Sequence, residues 1–302
     1  MRREIALDQE LLEALRRLEV MPAQAATARL EGARASARAG AGIEFADWRP
    51  YATGDSLRDV DWRALARWGR LFVRLRAREE ATTVCLLVDA SSSMAFGRPT
   101  KFTFARRLAA ALAASALAGL DAVLAGYLRG ASCELAEPVT GERALVQVLE
   151  FLERGRADGQ TDLPRALASF LERSSARAAR TGGRGGALVV FSDFWSEGDL
   201  DGTLGSAAQA GFQGALVQVL EPEEAEPRLG GRSRLTDSET GAELELEVSR
   251  AAREAYARER EAFLQALTRT AARWGFRAAA LMSDVPLERA TLGELRAAGV
   301  LG

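Results

Sequence analysis

The sequence predicts an α/β protein built on a doubly wound, mainly parallel β-sheet with helices on both faces. Residues 84–88 and 188–191 are continuous apolar runs, which are typical of strands buried on both faces of a parallel sheet. From Val84 onward, strand-like segments alternate with helix-like segments, as they do in doubly wound folds. An N-terminal extension precedes this sheet, and a β-hairpin is inserted late in the chain.

We expect two parts of unequal size. Residues 1–80 are predicted to hold an N-terminal helix and a segment rich in Arg, Asp and Trp, both packing on the body. Residues 81–302 are predicted to form the sheet domain, with a hairpin excursion at 221–249. A chain of 302 residues with 48% hydrophobic content is long enough to bury one large core or two smaller ones.

The spacing of apolar residues places the elements in order. Before the sheet we expect an amphipathic helix at 7–18 and a half-exposed strand at 71–78. Strands are predicted at 84–88, 122–128, 131–135, 188–191, 215–220 and 276–282, and a hairpin at 235–248 with its turn near 239–241. Helices are predicted at 102–117, at 142–153, from Pro164, at 250–274 and at 292–298.

The composition excludes several classes of function. The chain has no histidine, so Ser-His-Asp triads, Cys–His nucleophiles and His-liganded zinc are ruled out. Its net charge of −2 provides no general attraction to nucleic acid or to an anionic membrane. Cys85 and Cys133 both lie in strand-like contexts, and we expect buried thiols of the kind found in a reducing cytosol.

We expect a cytoplasmic protein without a membrane span. The first residues carry acids where a secretion signal needs an apolar core. The most apolar run, 108–120, is too short to cross a bilayer. The glycine-rich stretch at 181–186 precedes a strand, whereas a phosphate-binding loop follows a strand and opens a helix. If ATP matters here, another protein binds it.

Polar side chains follow the two buried strands. Asp89, Ser91 and Ser93 alternate after the first strand, so a tight loop can turn all three toward one point. Asp193 ends the second strand, and Thr161 opens a helix after another loop. Oxygen donors from three loops suit Mg²⁺, and open α/β sheets bind ligands at the carboxyl ends of their strands. The alternative is that Asp89 and Ser91 only cap the following helix.

These polar residues resemble a known metal-binding motif. The pattern consists of Asp89-x-Ser91-x-Ser93, then Thr161, then Asp193. It resembles the metal-ion-dependent adhesion site of von Willebrand factor type A domains. The resemblance implies that the three hydroxyls bind the cation directly and that the carboxylates bind it directly or through water. It also implies Mg²⁺, or Mn²⁺ or Ca²⁺ in its place, with one coordination position left for an acidic residue of a partner.

A second resemblance covers most of the chain. It rests on Glu44-Phe45 followed by Arg49-x-Tyr51-x-x-Gly54-Asp55-x-x-Arg58-x-x-Asp61-Trp62-x-x-x-Ala66-Arg67. Ahead of a von Willebrand A-like half, this motif resembles the bacterial domain of unknown function 58 family. The resemblance implies a partner of MoxR-type AAA+ ATPases, or of their clients, in protein maturation, cofactor insertion or stress handling. It implies no catalytic activity.

The partner contacts, the role of segment 44–67 and the function each have more than one interpretation. Trp195, Met94 and Asp162 lie beside the predicted site and are expected to contact a partner, although Trp195 could instead pack on a neighbouring helix. The segment 44–67 is either a structural brace or a ligand contact. The main hypothesis is a metal-dependent protein-interaction module and not an enzyme. The alternatives are a metal-dependent hydrolase or phosphotransferase, and a scaffold with an unused metal site.

Overall fold

The computed structural model describes residues 5, 7–21, 47–50, 65, 67, 69, 71–75, 82–181, 185–196, 198–227, 230–239 and 241–302. The chain divides into two compact units, Met1–Ala25 together with Thr82–Gly302, and Ala26–Ala81. The N-terminal helix thus belongs with the sheet domain and not with the segment that follows it. In the smaller unit, strands β1 (Asp47–Pro50) and β2 (Phe72–Leu75) pair antiparallel. Most of segment 44–67 lies outside the described residues.

The larger unit alternates strands and helices. Its strands are β3 (Thr83–Asp89), β4 (Ala122–Arg129), β5 (Ser132–Leu135), β6 (Val139–Thr140), β7 (Gly186–Ser192), β8 (Phe212–Leu220), β9 (Gly231–Thr236), β10 (Glu243–Val248) and β11 (Phe276–Met282). Its α-helices are α1 (Gln9–Leu15), α2 (Lys101–Ala118), α3 (Leu145–Arg154), α4 (Leu163–Thr181), α5 (Leu200–Gln209), α6 (Pro222–Ala225) and α7 (Arg250–Arg273). A 3₁₀ turn spans Ser92–Ala95, and a π-helical turn spans Arg289–Leu295.

The main sheet has the order β11-β8-β7-β3-β4-β5, with β6 pairing beside β4. The pairs among β11, β8, β7, β3 and β4 are parallel, whereas β5 and β6 run antiparallel to β4. This arrangement confirms the predicted fold class, a mainly parallel α/β sheet. The chain passes from β3 to β4 on one side and later to β7 on the other. The strand order therefore reverses between β3 and β7, and open sheets place ligands at such a point.

Strand β3 is buried on both faces, as its apolar run predicts. Val84 and Leu86 pack in one hydrophobic cluster with Leu112 of α2. Cys85 packs in a second cluster with Phe170 of α4. Successive side chains of a strand point to opposite faces, so the two clusters are the two layers of core on either side of the sheet.

The chain also forms a hairpin between α6 and α7 and a π-helical turn after β11. Strands β9 and β10 pair antiparallel as a two-stranded sheet, with Glu243 opposite Thr236, in agreement with the predicted hairpin. The C-terminal segment, expected as an ordinary helix, forms the π-helical turn instead. There the Thr291 hydroxyl donates to the carbonyl oxygens of Leu287, at 2.8 Å, and Glu288, at 3.2 Å. Such back-bonding by Ser and Thr distorts helices.

Helix α2 is the most buried helix of the domain. Eight of its eighteen residues are alanine, and fifteen of its residues are buried, among them Lys101 and Arg106. Its N-terminus is capped by Thr100, whose side chain accepts a hydrogen bond from the amide of Thr103 at 3.1 Å. Among the described residues, no helix combines the length and hydrophobicity that crossing a bilayer requires.

Candidate metal centre

Asp89 ends β3 with its carboxylate fixed in a buried position. The side chain is 4% exposed. One carboxylate oxygen, Oδ1, accepts a hydrogen bond from the amide of Ser91 at 2.9 Å. The other, Oδ2, accepts one from the hydroxyl of Ser192 in β7 at 2.6 Å. Asp89 therefore links the two central strands at their carboxyl ends, beside the point where the strand order reverses.

Burial raises the pKa of the Asp89 carboxyl group. The hydrogen bond from Ser192 opposes this shift, while the negative charge of Asp193 adds to it. The two carboxylates are thus close enough to repel each other inside the protein. A cation between or beside them would relieve this repulsion and favour the ionised form of Asp89.

Ser91 and Ser93 hold their hydroxyls at a spacing that suits metal binding. Their Oγ atoms share a hydrogen bond and lie 2.9 Å apart. In an octahedral Mg²⁺ site with ligands at about 2.0–2.1 Å, neighbouring ligand oxygens are also about 2.9 Å apart. The two hydroxyls could therefore occupy adjacent positions on one cation without moving relative to each other.

The Thr161 loop is tied to the same edge of the sheet. The amide of Ser92 donates to the carbonyl of Gly159 at 2.8 Å, and the amide of Asp158 donates to the carbonyl of Ala90 at 2.9 Å. Thr161 itself forms a parallel bridge with Gly130, which directly follows β4. Its hydroxyl is buried and lies 3.5 Å from the carbonyl of Leu128, a long distance for a hydrogen bond.

Asp193 follows β7 and forms a buried ion pair with the single lysine of the sequence. Its Oδ2 accepts a hydrogen bond from Lys101 Nζ at 2.8 Å, and Lys101 also donates to Glu224 Oε1 at 2.6 Å. Burial alone would lower the pKa of Lys101, but the charges of Asp193 and Glu224 outweigh it and raise this pKa. The amide of Trp195 donates to the other oxygen of Asp193 at 3.2 Å. Lys101 and the amide of Trp195 hold the Asp193 carboxylate in place.

The donor set fits a hard divalent cation that is bound mainly through hydroxyls. Within the residues that the structure describes, no group of three or more His, Cys, Asp and Glu side chains is arranged to hold a metal. A cation here would depend on Ser91, Ser93 and Thr161, with the carboxylates acting through water. Mg²⁺ commonly keeps several waters and prefers oxygen ligands, so this donor set suits it.

The capping alternative does not account for these residues. Ser91 precedes the 3₁₀ turn but makes no side-chain capping bond there. Helix α2 is capped by Thr100, which is distant in sequence from the Asp89 loop. The Asp89 carboxylate instead joins its own loop to Ser192 of another strand.

A comparison with protein families decides the affiliation of the chain. The family described as "Protein of unknown function DUF58" matches residues 47–264, which is more than half of the sequence. The chain belongs to the DUF58 family. The family affiliation inferred from the Arg, Asp and Trp motif is therefore confirmed. This match covers the smaller unit from β1 onward and the sheet domain as far as α7.

Relatives of this DUF58 protein occur in mycobacteria. "Uncharacterized protein Rv1480" of Mycobacterium tuberculosis is 28% identical over 270 residues, covering 87% of this chain and 82% of the relative. "Uncharacterized protein Mb1516" of Mycobacterium bovis matches with the same values.

Three solved structures are similar to this DUF58 protein at low identity. The conserved hypothetical protein BatB of Bacteroides thetaiotaomicron is 16% identical with a TM-score of 0.42, covering 72% of this chain and 98% of the other. An aerotolerance-related membrane protein of Bacteroides fragilis is 17% identical with a TM-score of 0.44 and the same coverage. A von Willebrand factor type A protein of Catenulispora acidiphila is 13% identical with a TM-score of 0.40, covering 72% and 42%.

The three residues expected to contact a partner have different surroundings in this DUF58 protein. Trp195 is 44% exposed, and its ring stacks on that of Phe263 in α7 at 4.5 Å between centroids. Met94 is fully buried in the core, so the prediction that it contacts a partner is wrong. An apolar side chain in the 3₁₀ turn packs inward because the turn lies against the sheet. Asp162 accepts a hydrogen bond from the amide of Arg165 at 3.1 Å and so caps α4.

The sequence patterns did not predict that Ser192 and Lys101 contact the site. The hydroxyl of Ser192 donates a hydrogen bond to the Asp89 carboxylate. No local sequence pattern around Ser192 indicated that contact. Lys101 neutralises Asp193 from the first turn of α2. The available signal was that Lys101 is the single lysine in a chain whose other basic residues are all arginine.

Proposed function

We propose that this DUF58 protein is a metal-dependent protein-interaction module. In this proposal Ser91, Ser93 and Thr161 bind Mg²⁺, or Mn²⁺ or Ca²⁺, and Asp89 and Asp193 hold the ion's water ligands. The observation that carries the proposal is the 2.9 Å separation of the Ser91 and Ser93 hydroxyls. That spacing occurs on a loop that is anchored to two further loops at the carboxyl edge of the sheet.

The local charge also supports a divalent cation. Lys101 pairs with two carboxylates, Asp193 and Glu224, and the charge of Asp193 also raises the pKa of the Asp89 carboxyl group. The excess of negative charge in a buried setting is unfavourable unless a cation offsets it. A cation bound mainly by neutral hydroxyls keeps much of its own charge, and it can therefore attract a carboxylate from another molecule.

An Asp or Glu of a protein partner would complete the coordination of the ion. We propose a MoxR-type AAA+ ATPase, or its client, as that partner, and a cytoplasmic location for the encounter. The support for this identity is the family affiliation. The sequence contains no Gly-x-x-x-x-Gly-Lys-Ser/Thr motif, so in this proposal the ATPase supplies nucleotide binding.

The cation is proposed to act in binding and not in catalysis. The chain contains no histidine to serve as a general base. Among the described residues, the basic group at the site, Lys101, is held by two carboxylates. Metal-dependent hydrolysis of a phosphoester by the purified protein, abolished in Asp89→Asn, would contradict this part of the proposal.

A calorimetric titration with Mg²⁺ tests the metal dependence. We expect Asp89→Ala to weaken Mg²⁺ binding by about tenfold or more, because the ordered carboxylate of the site is lost. Asp284→Ala is the matched control, since Asp284 is an exposed acid just after β11 at the same edge of the sheet. The control should bind Mg²⁺ like the unchanged protein.

Partner capture tests the second half of the proposal. Unchanged protein should retain its partner from native lysate in Mg²⁺ and release it in EDTA, and Asp89→Ala should not retain it. Full retention of the partner in EDTA would show that the cation is not the bridge.

A further inference from the structure

One edge of the main sheet has a free side. Strand β11 (Phe276–Met282) pairs with residues 214–220 of β8, and no strand among the described residues pairs with it on its other side. Residues 214–220 are all buried, whereas residues 277–280 of β11 are partly exposed. Unpaired backbone groups along the edge of a sheet are a ready template for another strand.

The free side of β11 presents the backbone of Ala278 and Ala280. The amide of Ser283, just after the strand, donates to the carbonyl of Leu220 at 2.8 Å, so the backbone of Ser283 faces β8. Alternate residues of an edge strand turn their N–H and C=O groups toward and away from the neighbouring strand. Ala279 therefore faces β8, and Ala278 and Ala280 face outward. Within the residues that the structure describes, no hydrogen bond reaches these two outward amides or their carbonyls.

Strand β11 lacks the features that usually prevent edge strands from pairing. Protected edges are short or carry charges, proline or a bulge. The opposite edge, β5, has only four residues and includes Glu134. β11 has seven residues without proline or glycine, and its one charged residue is Arg277. The guanidinium of Arg277 donates to the carbonyl of Gly299 and to Sδ of Met21, so it is held on its own chain.

A second copy of β11 fits this edge in an antiparallel register. When Ala279 lies opposite Ala279 of the other copy, Ala278 of each copy lies opposite Ala280 of the other. The outward groups of both strands then face each other and exchange hydrogen bonds in both directions, as the narrow pairs of an antiparallel ladder do. The side chains at the centre of this contact are alanines, which leave room for close approach of the two strands.

The charges at the two ends of β11 favour the same arrangement. Arg273 and Arg277 lie at the start of the strand, and the exposed acids Asp284 and Glu288 follow its end. Antiparallel pairing brings the basic start of one copy toward the acidic end of the other, whereas parallel pairing would bring like charges together. In this register Arg277 lies opposite Leu281, so no two like charges are directly opposed.

We propose that β11 joins two copies of this chain into a symmetric dimer whose main sheet continues across the two-fold axis. The same strand serves on both sides of the contact, as a two-fold interface requires. The two sheets then run in opposite directions, so the two candidate metal centres lie at opposite ends of the dimer. Such a dimer can engage two copies of a partner at once. The contact does not involve the cation and goes beyond the proposed function.

Cysteine cross-linking of the full chain in EDTA tests the register. Ala279→Cys places a thiol opposite its own counterpart in a non-hydrogen-bonded pair, where Cα atoms about 4.5 Å apart suit a disulfide. Ala278→Cys is the matched control, because its two thiols lie on a diagonal with Cα atoms about 7–8 Å apart. The natural cysteines, Cys85 and Cys133, are buried. On oxidation with diamide we expect a covalent dimer of Ala279→Cys, and none of Ala278→Cys or of the unchanged protein.

Sedimentation equilibrium in EDTA measures the strength of the contact. Ala280→Pro removes an outward N–H and leaves the ladder with β8 intact, and edge strands tolerate proline at such positions. Because each copy loses one donor, the dissociation constant of the dimer should rise about hundredfold or more. Glu247→Pro is the matched control, since the register of β9 and β10 also turns the Glu247 amide outward on an exposed strand. This control should form dimers like the unchanged protein.

Three results would overturn the dimer. They are a single-chain mass for the unchanged protein at its highest soluble concentration, dimers of undiminished strength in Ala280→Pro, and cross-linking of Ala278→Cys equal to that of Ala279→Cys. If Ala280→Pro does not fold, as judged by circular dichroism, the two cysteine variants decide. Mg²⁺ binding by a monomer would leave the proposed function standing, and a dimer that binds no Mg²⁺ would leave this inference standing alone.

Discussion

At the scale of single residues, the site depends on buried charges that hold one another in place. Lys101 is fully buried, yet it remains paired with Asp193 and Glu224. The positions of Asp89, Ser91 and Ser93 could be predicted from sequence because their spacing is local. The contacts of Ser192 and Lys101 could not, because each partner lies on a different element and only the tertiary fold brings them together.

Replacement of Lys101 by Met should strongly destabilise the protein. Asp193 would keep its buried carboxylate but lose its cation, and breaking a buried pair in this way costs about 3–5 kcal/mol. Arg250→Met is the control, since it removes an exposed helix pair with Glu254 and should cost at most about 0.5 kcal/mol. Urea unfolding in the absence of divalent metal measures both. Equal stabilities of the two variants would show that the Lys101 pair is dispensable.

At the scale of elements, the strands could be predicted because a strand that is buried on both faces is apolar at nearly every position. β3 and β7 appear as unbroken apolar runs at 84–88 and 188–191, and the structure extends them to Thr83–Asp89 and Gly186–Ser192. The π-helical turn was not predictable from spacing, because it depends on how Thr291 bonds to its own helix.

The burial of β3 predicts a loss of stability in alkali. Burial raises the pKa of the Cys85 thiol from 9.0 to about 12, and Arg177 offsets only part of this shift. Between these values the unfolded chain has released a proton that the native protein retains. The free energy of unfolding should therefore fall as pH rises, by about 1.4 kcal/mol per pH unit from this group.

Comparison with Cys85→Ala isolates that contribution. The variant has a lower stability at every pH because of the cavity, but its decline between pH 9 and 11 should be shallower by the amount that Cys85 contributes. Other buried groups titrate alike in both proteins and cancel in the difference. Parallel declines would show that the Cys85 thiol ionises as readily in the native protein as in the unfolded chain.

At the scale of the whole molecule, the sheet brings together loops that are far apart in sequence. The carboxyl ends of β3, β4 and β7 meet at one edge, and hydrogen bonds join the loop after β3 to the loop before α4. The fold class, a mainly parallel sheet with helices on both faces, could be anticipated from the alternation of strands and helices. The fold thus accounts for why two carboxylates and three hydroxyls from separate segments occupy the same edge.

Anomalous scattering from crystals grown with Mn²⁺ tests the central claim most directly. We predict one strong peak at the carboxyl edge of the sheet, coordinated by the hydroxyls of Ser91, Ser93 and Thr161. A map with Mn²⁺ bound elsewhere, or with no peak within reach of Ser91 and Ser93 at saturating Mn²⁺, would contradict it.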